Sequence, residues 1–231
     1  MGTQEESKPE QAILLHLEQI AVEGHEVIFG ALSDVLKSKG IKLTRLMFCA
    51  HCVSTPITRG LAAILKETGR ERLSEEKLQA EVAQAVKDAF LKKKLTASND
   101  VTKSLHKQAG NGTVIGAVSM FDVETAQAVA ERVGLADILE KIEACGPNGH
   151  GRPTTDTWLR LAKGVGVIPP RCISIASSGD ACRSALFAGT RCIAYASAST
   201  AHQDFGGADT IVSELSEIPK AVTSIILDRI T

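Results

Sequence analysis

Ala12-Ile13-Leu14-Leu15-His16-Leu17-Glu18-Gln19 begins as a short apolar run and ends in polar side chains. Ala12 to Leu17 reads as a buried strand that runs straight into a loop. An apolar run without alternation is what a parallel-sheet strand looks like when helices cover both of its faces. Runs of the same texture recur at Thr113 to Val118, Arg171 to Ser177 and Arg191 to Ala196. Between and around them lie helical stretches, several of them ended by a glycine: Val101 to Ala109, Val123 to Val133 before Gly134, Thr155 to Val165 before Gly166, and Asp180 to Ala188 before Gly189. Alternation of helices with apolar strands predicts an α/β fold, a Rossmann-like parallel sheet with helices on both faces.

One block breaks the alternation. After the first strand, Val22 to Ser38 is helical, with Val27, Ile28, Ala31, Leu32, Val35 and Leu36 on one face and Gly40 as its stop. A second helical stretch, Arg59 to Lys66, ends at Gly69. A third is opened by Ser74, with Leu78, Val82, Ala85, Val86 and Ala89 as its apolar stripe. Helix without strand from residue 44 to residue 94 marks an insertion, expected to cap the C-terminal edge of the sheet, where open α/β folds hold ligands. The expected organisation is a flexible lead over residues 1–11, a core over 12–22 and 95–231, and a helical cap over 23–94.

Composition narrows the function. The 231 residues are 44% hydrophobic and 23% charged with a net charge of −1, the balance of a globular protein without a broad field for nucleic acid. Aromatic residues are 3% of the chain, too few for base-stacking surfaces. No run approaches the roughly 20 apolar residues of a membrane span, and Met1 to Gln11 is too polar for a signal peptide. The expected compartment is the cytoplasm, with the six cysteines as reduced thiols. The expected partner is a small anionic or phosphorylated ligand, without nucleic acid or membrane.

Four stretches carry a family resemblance: Ala12 to Ala21; Thr113 to Met120; Gly151-Arg152-Pro153-Thr154-Thr155-Asp156-Thr157-Trp158; and Cys172 to Ala188. In this order and spacing they resemble the four motifs of the haloacid dehalogenase-like superfamily, in its phosphatase and β-phosphoglucomutase-like branch with a helical cap. The resemblance implies Asp-x-Asp-Gly after the first strand. The first aspartate becomes an aspartyl phosphate, and the second is the general acid and base. It implies a Ser or Thr at the second motif, a Lys at the third, an acidic pair at the fourth, and Mg²⁺ as cofactor.

The chain departs from that pattern in a coordinated way. His16 stands at the nucleophile position and Glu18 at the acid/base position, with Gln19 and Ile20 in place of a small Gly-Thr pair. The acidic pair falls on Ala176 and Ser177, neither a carboxylate, so no cofactor is expected. A second frame of the fourth motif places Asp180 there as a rescue. Ser119 keeps the hydroxyl and Arg152 the positive charge, which marks these two as a candidate phosphate or anion site. Arg152 has Asp156 as a possible partner four residues on, and Asp180 is a candidate helix cap.

The bland readings are a neutral, hydrogen-bonded histidine for His16 and a solvated loop glutamate for Glu18. Cys49-Ala50-His51-Cys52 lacks the second ligand pair of a zinc site, and Cys172 and Cys192 read as core thiols. Lys92 to Lys94 reads as a solvated turn, and His25, His106, His150 and His202 show no shared spacing. The expectation from the sequence is a pseudoenzyme that binds or regulates. The alternative is an active hydrolase that uses His16 and Glu18 in unconventional roles.

Overall fold

The computed structural model describes residues 9–53, 57–73, 75–145 and 152–228. Ser74, His150 and Gly151, and residues 1–8 of the lead, lie outside the described residues. One parallel sheet organises the rest. Its strands are β1 (Ala12–His16), β2 (Val114–Ser119), β3 (Leu139–Ala144), β4 (Cys172–Ala176), β5 (Arg191–Tyr195) and β6 (Thr210–Val212), in the spatial order β3-β2-β1-β4-β5-β6. β1 is the hub. Ala12 pairs with Val114 on one side and Cys172 on the other, and all five of its residues are buried. Successive β1 side chains feed opposite faces: Ile13 and Leu15 join one apolar cluster, Ala12 and Leu14 the other. The chain grows from β1 outward through β2 and β3, then returns to β4 on the other side. The C-terminal ends of β1 and β4 therefore form the switch point at which such sheets bind ligands.

Between β1 and β2 run α1 (Leu17–Ile20), α2 (Gly24–Ser38), α3 (Arg45–His51), α4 (Ile57–Glu67), α5 (Glu75–Leu91) and α6 (Asn99–Gly110). The later helices are α7 (Val123–Arg132), α8 (Thr155–Gly164), α9 (Gly179–Phe187) and α10 (Ile218–Leu227). Val101 and Leu105 of α6, Ala126 and Val129 of α7, and Val222 and Ile225 of α10 pack with Ile13 and Leu15. Trp158 and Leu161 of α8 and Cys182 of α9 pack with Leu14 on the other face.

Two strands and a helix were not read from the sequence. β3 is Leu-Glu-Lys-Ile-Glu-Ala at a sheet edge, largely out of the core, so its charges hide the strand pattern. β6 has three residues, too few for a periodic signal. α10 begins with Pro219 in its first turn and is strongly apolar along its inner face.

The helices α2 to α5 are tied to the sheet edge by named contacts. Ser98 N donates to Ala21 O at 2.8 Å, which joins the points where the chain leaves and rejoins the α/β unit. Phe90 of α5 meets Phe121, just beyond β2, edge to face at 5.5 Å. Tyr195 at the end of β5 donates its hydroxyl to Glu23 at 2.7 Å, and Ser197 Oγ lies 3.4 Å from His25 Nδ1. The helical insert thus rests on the C-terminal ends of β2 and β5. Among the described residues, no helix is long and apolar enough to cross a membrane.

Phe90 is fully buried and carries the aromatic contact between insert and core. Phe90→Ala is expected to cost about 3–5 kcal/mol of stability through lost burial and an unfilled cavity, measured by urea unfolding. A loss below about 1 kcal/mol would show that this joint is not a packed one.

Candidate functional site

His16 is the last residue of β1, and Leu17 begins the single helical turn α1. The chain therefore leaves extended geometry between His16 and Glu18, and both side chains face the same sheet edge. Glu18 is fully buried in that turn, not a solvated loop residue. Its carboxylate is held from β2: Ser119 donates its hydroxyl to Oε1, and Met120 N donates to Oε2 at 3.2 Å. Ser119 Oγ also accepts from Phe121 N at 3.0 Å, so the hydroxyl is committed both as donor and as acceptor.

His16 turns the other way. Its Nδ1 lies 3.2 Å from Ser177 Oγ, just beyond the end of β4. Its Nε2 is buried without a hydrogen-bond partner and faces Glu18 Oε2 at 3.7 Å. The histidine expected to be satisfied by hydrogen bonds is satisfied at one nitrogen only. His25, at the start of α2, lies within electrostatic reach of His16. No sequence spacing links the two, because the contact runs from the insert to a strand end. Cys145, beyond β3, is a further neighbour: its thiol is pushed up by burial and by the nearby Glu18 and Glu143.

Gln19 and Ile20 are buried as well, and they complete α1. A Cβ on Gly24 would lie 2.2 Å from Glu18 O and 2.8 Å from Gln19 Oε1. The bulky pair is therefore accommodated because the next helix starts on a glycine.

The remaining expected residues form a separate group. Arg152 bonds Asp180, which also accepts from Arg183 at 2.8 Å. Asp156 pairs with Arg160, its neighbour one helical turn on, so it does not hold Arg152. Asp180 does not cap α9. Ser178 does, its hydroxyl accepting from Ala181 N at 3.3 Å, because Asp180 already lies inside the first turn. Gly179 N donates to Gln203 Oε1 at 2.7 Å, and a Cβ there would lie 2.5 Å from Asp204 O. Among the described residues, Ser119 and Arg152 share no bonded partner. The structure thus gathers His16, Glu18, Ser119 and Ser177, and sets Arg152 with Asp180. Arg152 and Asp180 sit more than a third exposed.

This fold has many solved counterparts. A structure of CbbY from Rhodobacter sphaeroides in complex with phosphate superposes with a TM-score of 0.75 at 18% identity, covering 90% of this chain and 96% of that one. A conserved haloacid dehalogenase-like protein of unknown function from Agrobacterium tumefaciens gives 0.77 at 19%, covering 94% and 99%. One described as a putative β-phosphoglucomutase from Thermotoga maritima gives 0.72 at 17%, covering 93% and 99%. The chain has the haloacid dehalogenase-like fold. No protein-family model and no curated protein matches it. Set on the haloacid dehalogenase-like fold, His16 and Glu18 occupy the strand end that the resemblance assigned to its two aspartates.

Burial decides the protonation of the cluster. Removal from water lifts the Glu18 carboxyl from its ordinary 4.5 to about 7, against the pull of Ser119 and Met120. The same effect drops His16 to about 3 and His25 to about 4, helped at His16 by the neighbouring His25. Folded Glu18 keeps a proton that the unfolded chain releases. Its contribution to stability is complete below pH 4.5 and is lost as pH rises through about 7. The folded histidines refuse a proton that the unfolded chain takes. Their contribution is complete above pH 6.5 and is lost as pH falls toward 4 and 3. The three together place their maximum at about pH 7.

Glu18→Gln removes the alkaline limb alone. Between pH 4.5 and pH 7.5 the stability of this variant relative to the parent is expected to rise by about 3 kcal/mol, read from urea midpoints at the two pH values. A difference that does not change with pH would show that Glu18 is solvated.

Proposed function

We propose that this chain retains the haloacid dehalogenase-like fold but does not carry out phosphoryl transfer, and that it acts as a binding or regulatory protein. The observation that carries this reading is Glu18: the carboxylate nearest the strand end is buried, and both its oxygens accept hydrogen bonds from β2 and the backbone beyond it. An attacking or proton-shuttling carboxylate needs a free, well-placed oxygen. The nucleophile position holds His16, whose ring is neutral over the physiological range.

The residues present do not suit Mg²⁺, a hard cation that prefers several oxygen ligands. Ala176 and Ser177 supply no carboxylate at the end of β4. Asp180, the rescue offered by the second frame, is held by Arg152 and Arg183. Among the described residues no cluster of three His, Cys, Asp or Glu side chains has metal-binding geometry. These losses touch separate contributions to one transition state, and such groups act as a unit.

The Ser119 and Arg152 anion site is the binding function closest to the fold's solved relatives, one of which is described in complex with phosphate. In this chain the groups an anion needs already meet carboxylates: Glu18 stands against Ser119, and Asp180 against Arg152. A phosphorylated ligand must displace both. Phosphate binding is therefore weak, and a ligand that binds tightly brings further contacts from the insert. The free thiols of all six cysteines support a reducing, cytoplasmic compartment.

A phosphate-ester assay with Mg²⁺ tests the reading. No turnover above the rate of buffer is expected, and millimolar phosphate is expected to leave the unfolding temperature unchanged. Phosphate-ester turnover that vanishes in His16→Ala would overturn the loss of phosphoryl transfer. A phosphate-dependent rise in unfolding temperature that vanishes in Arg152→Ala would restore the anion site.

A further inference from the structure

The loss of phosphoryl chemistry leaves one arrangement at the strand ends without a use. Ser177 Oγ meets one ring nitrogen of His16 at 3.2 Å, and a carboxylate oxygen of Glu18 faces the other at 3.7 Å. We propose that Ser177, His16 and Glu18 form a serine–histidine–carboxylate relay able to transfer the acyl group of a carboxylic ester to Ser177 Oγ. It rests on the reading above only in that these residues are not engaged in phosphoryl transfer.

The geometry supports each role. Ser177 sits between the end of β4 and the start of α9, on the strand-to-helix turn of the switch point. His16 Nε2 is the orphaned atom of the cluster. A ring proton carried there faces the Glu18 carboxylate, an electrostatic attraction at 3.7 Å and not a hydrogen bond, and that tautomer leaves Nδ1 free to accept the proton of Ser177. Glu18 is fixed by Ser119 and Met120 N, so the group that orients the imidazole cannot swing away. Next to Ser177, the Gly179 N–H already donates to a planar amide carbonyl, Oε1 of Gln203. A substrate carbonyl that replaced this amide would keep the same donor, at the positive end of α9.

The step balances with water as the co-reactant. The Ser177 hydroxyl gives its proton to His16 Nδ1 while Oγ bonds the carbonyl carbon, and the C=O electron pair moves to oxygen. That pair returns as the bond to the alkoxide breaks, and the alkoxide leaves with the proton from Nδ1. Water then repeats the sequence on the acyl-serine to release a carboxylic acid. Ser177 is 1% exposed and His16 is 7% exposed, so access for an ester requires the insert to lift. The lifting breaks the Glu23–Tyr195 and His25–Ser197 contacts.

Among the described residues, the titratable groups coupled to the relay are His25 from α2, which acts on His16, and Cys145 beyond β3, beside Glu18. His25 is neutral above about 4 and the thiol keeps its proton, so Glu18 alone changes charge near pH 7. Ionised Glu18 favours the proton on Nε2, and reactivity is expected to rise with pH through about 7.

The test treats the full chain with a fluorophosphonate probe and with p-nitrophenyl acetate from pH 5 to pH 9, locating the adduct by peptide mass spectrometry. The expected result is one adduct on Ser177, absent in Ser177→Ala, with a rate that falls about a hundredfold in His16→Ala. In Glu18→Gln, which preserves shape, the rise with pH is expected to disappear. Thermal unfolding confirms that each variant is folded. No adduct on the folded parent, an adduct elsewhere, or labelling of Ser177 at an unchanged rate in His16→Ala would overturn the relay. The phosphate-ester assay reads only the absence of phosphoryl transfer, so that part of the reading fails separately, whereas labelling of Ser177 would give the chain an enzymatic role beside a binding or regulatory one.

Discussion

The carboxyl of Glu18, shut away from water and bound by Ser119 and Met120 N, constrains the rest of the site. A carboxylate of this kind is costly to bury unless it is hydrogen-bonded or neutral, and here it is hydrogen-bonded and raised toward neutrality. The position follows from the fold. β1 is one of the two central strands of the sheet, and a helical turn starting directly after its last residue drives the second side chain of that turn inward. Glu18 then takes the Ser119 hydroxyl, and His16 turns toward Ser177. The haloacid dehalogenase-like architecture is compatible with the proposed loss of phosphoryl chemistry, because the sheet depends on apolar burial and the chemistry on a few strand-end groups.

Each group that a phosphate or a metal would engage is met by another side chain of the same protein. Ser119 meets Glu18, and Arg152 meets Asp180. His16 is the exception, with one buried nitrogen left over, and that atom faces the same carboxylate. The insert closes the arrangement from above onto Phe121 beyond β2 and onto Tyr195 and Ser197 at the end of β5, two strand ends far apart in sequence.

Much of the architecture was legible in the sequence. Ala12 to His16, Val114 to Ser119, Cys172 to Ala176 and Arg191 to Tyr195 are apolar because helices cover both faces, and an uninterrupted apolar run shows in one dimension. β3 was not legible, because an edge strand carries Glu140, Lys141 and Glu143 without cost. The residues of the site were found as motif positions, yet their environment was not. Glu18 looks solvated by residue type, and only the start of a helix at Leu17 buries it. His25, Met120 and Cys145 reach the site through tertiary contacts that leave no local pattern. Arg152 offered one carboxylate by spacing, Asp156, and Asp180 stood in the sequence only as a motif and cap candidate. Tertiary placement chose Asp180, while Asp156 found Arg160 one turn along α8.

The central claim is that the strand-end carboxyl belongs to the interior and is unavailable to a ligand. A carbon-13 NMR titration of Glu-labelled protein, with Glu18→Gln to assign the resonance, measures this most directly. A Glu18 carboxyl that titrates near 7 and does not respond to added Mg²⁺ is the predicted result. Titration near its ordinary 4.5, with a shift on adding Mg²⁺, would contradict the account.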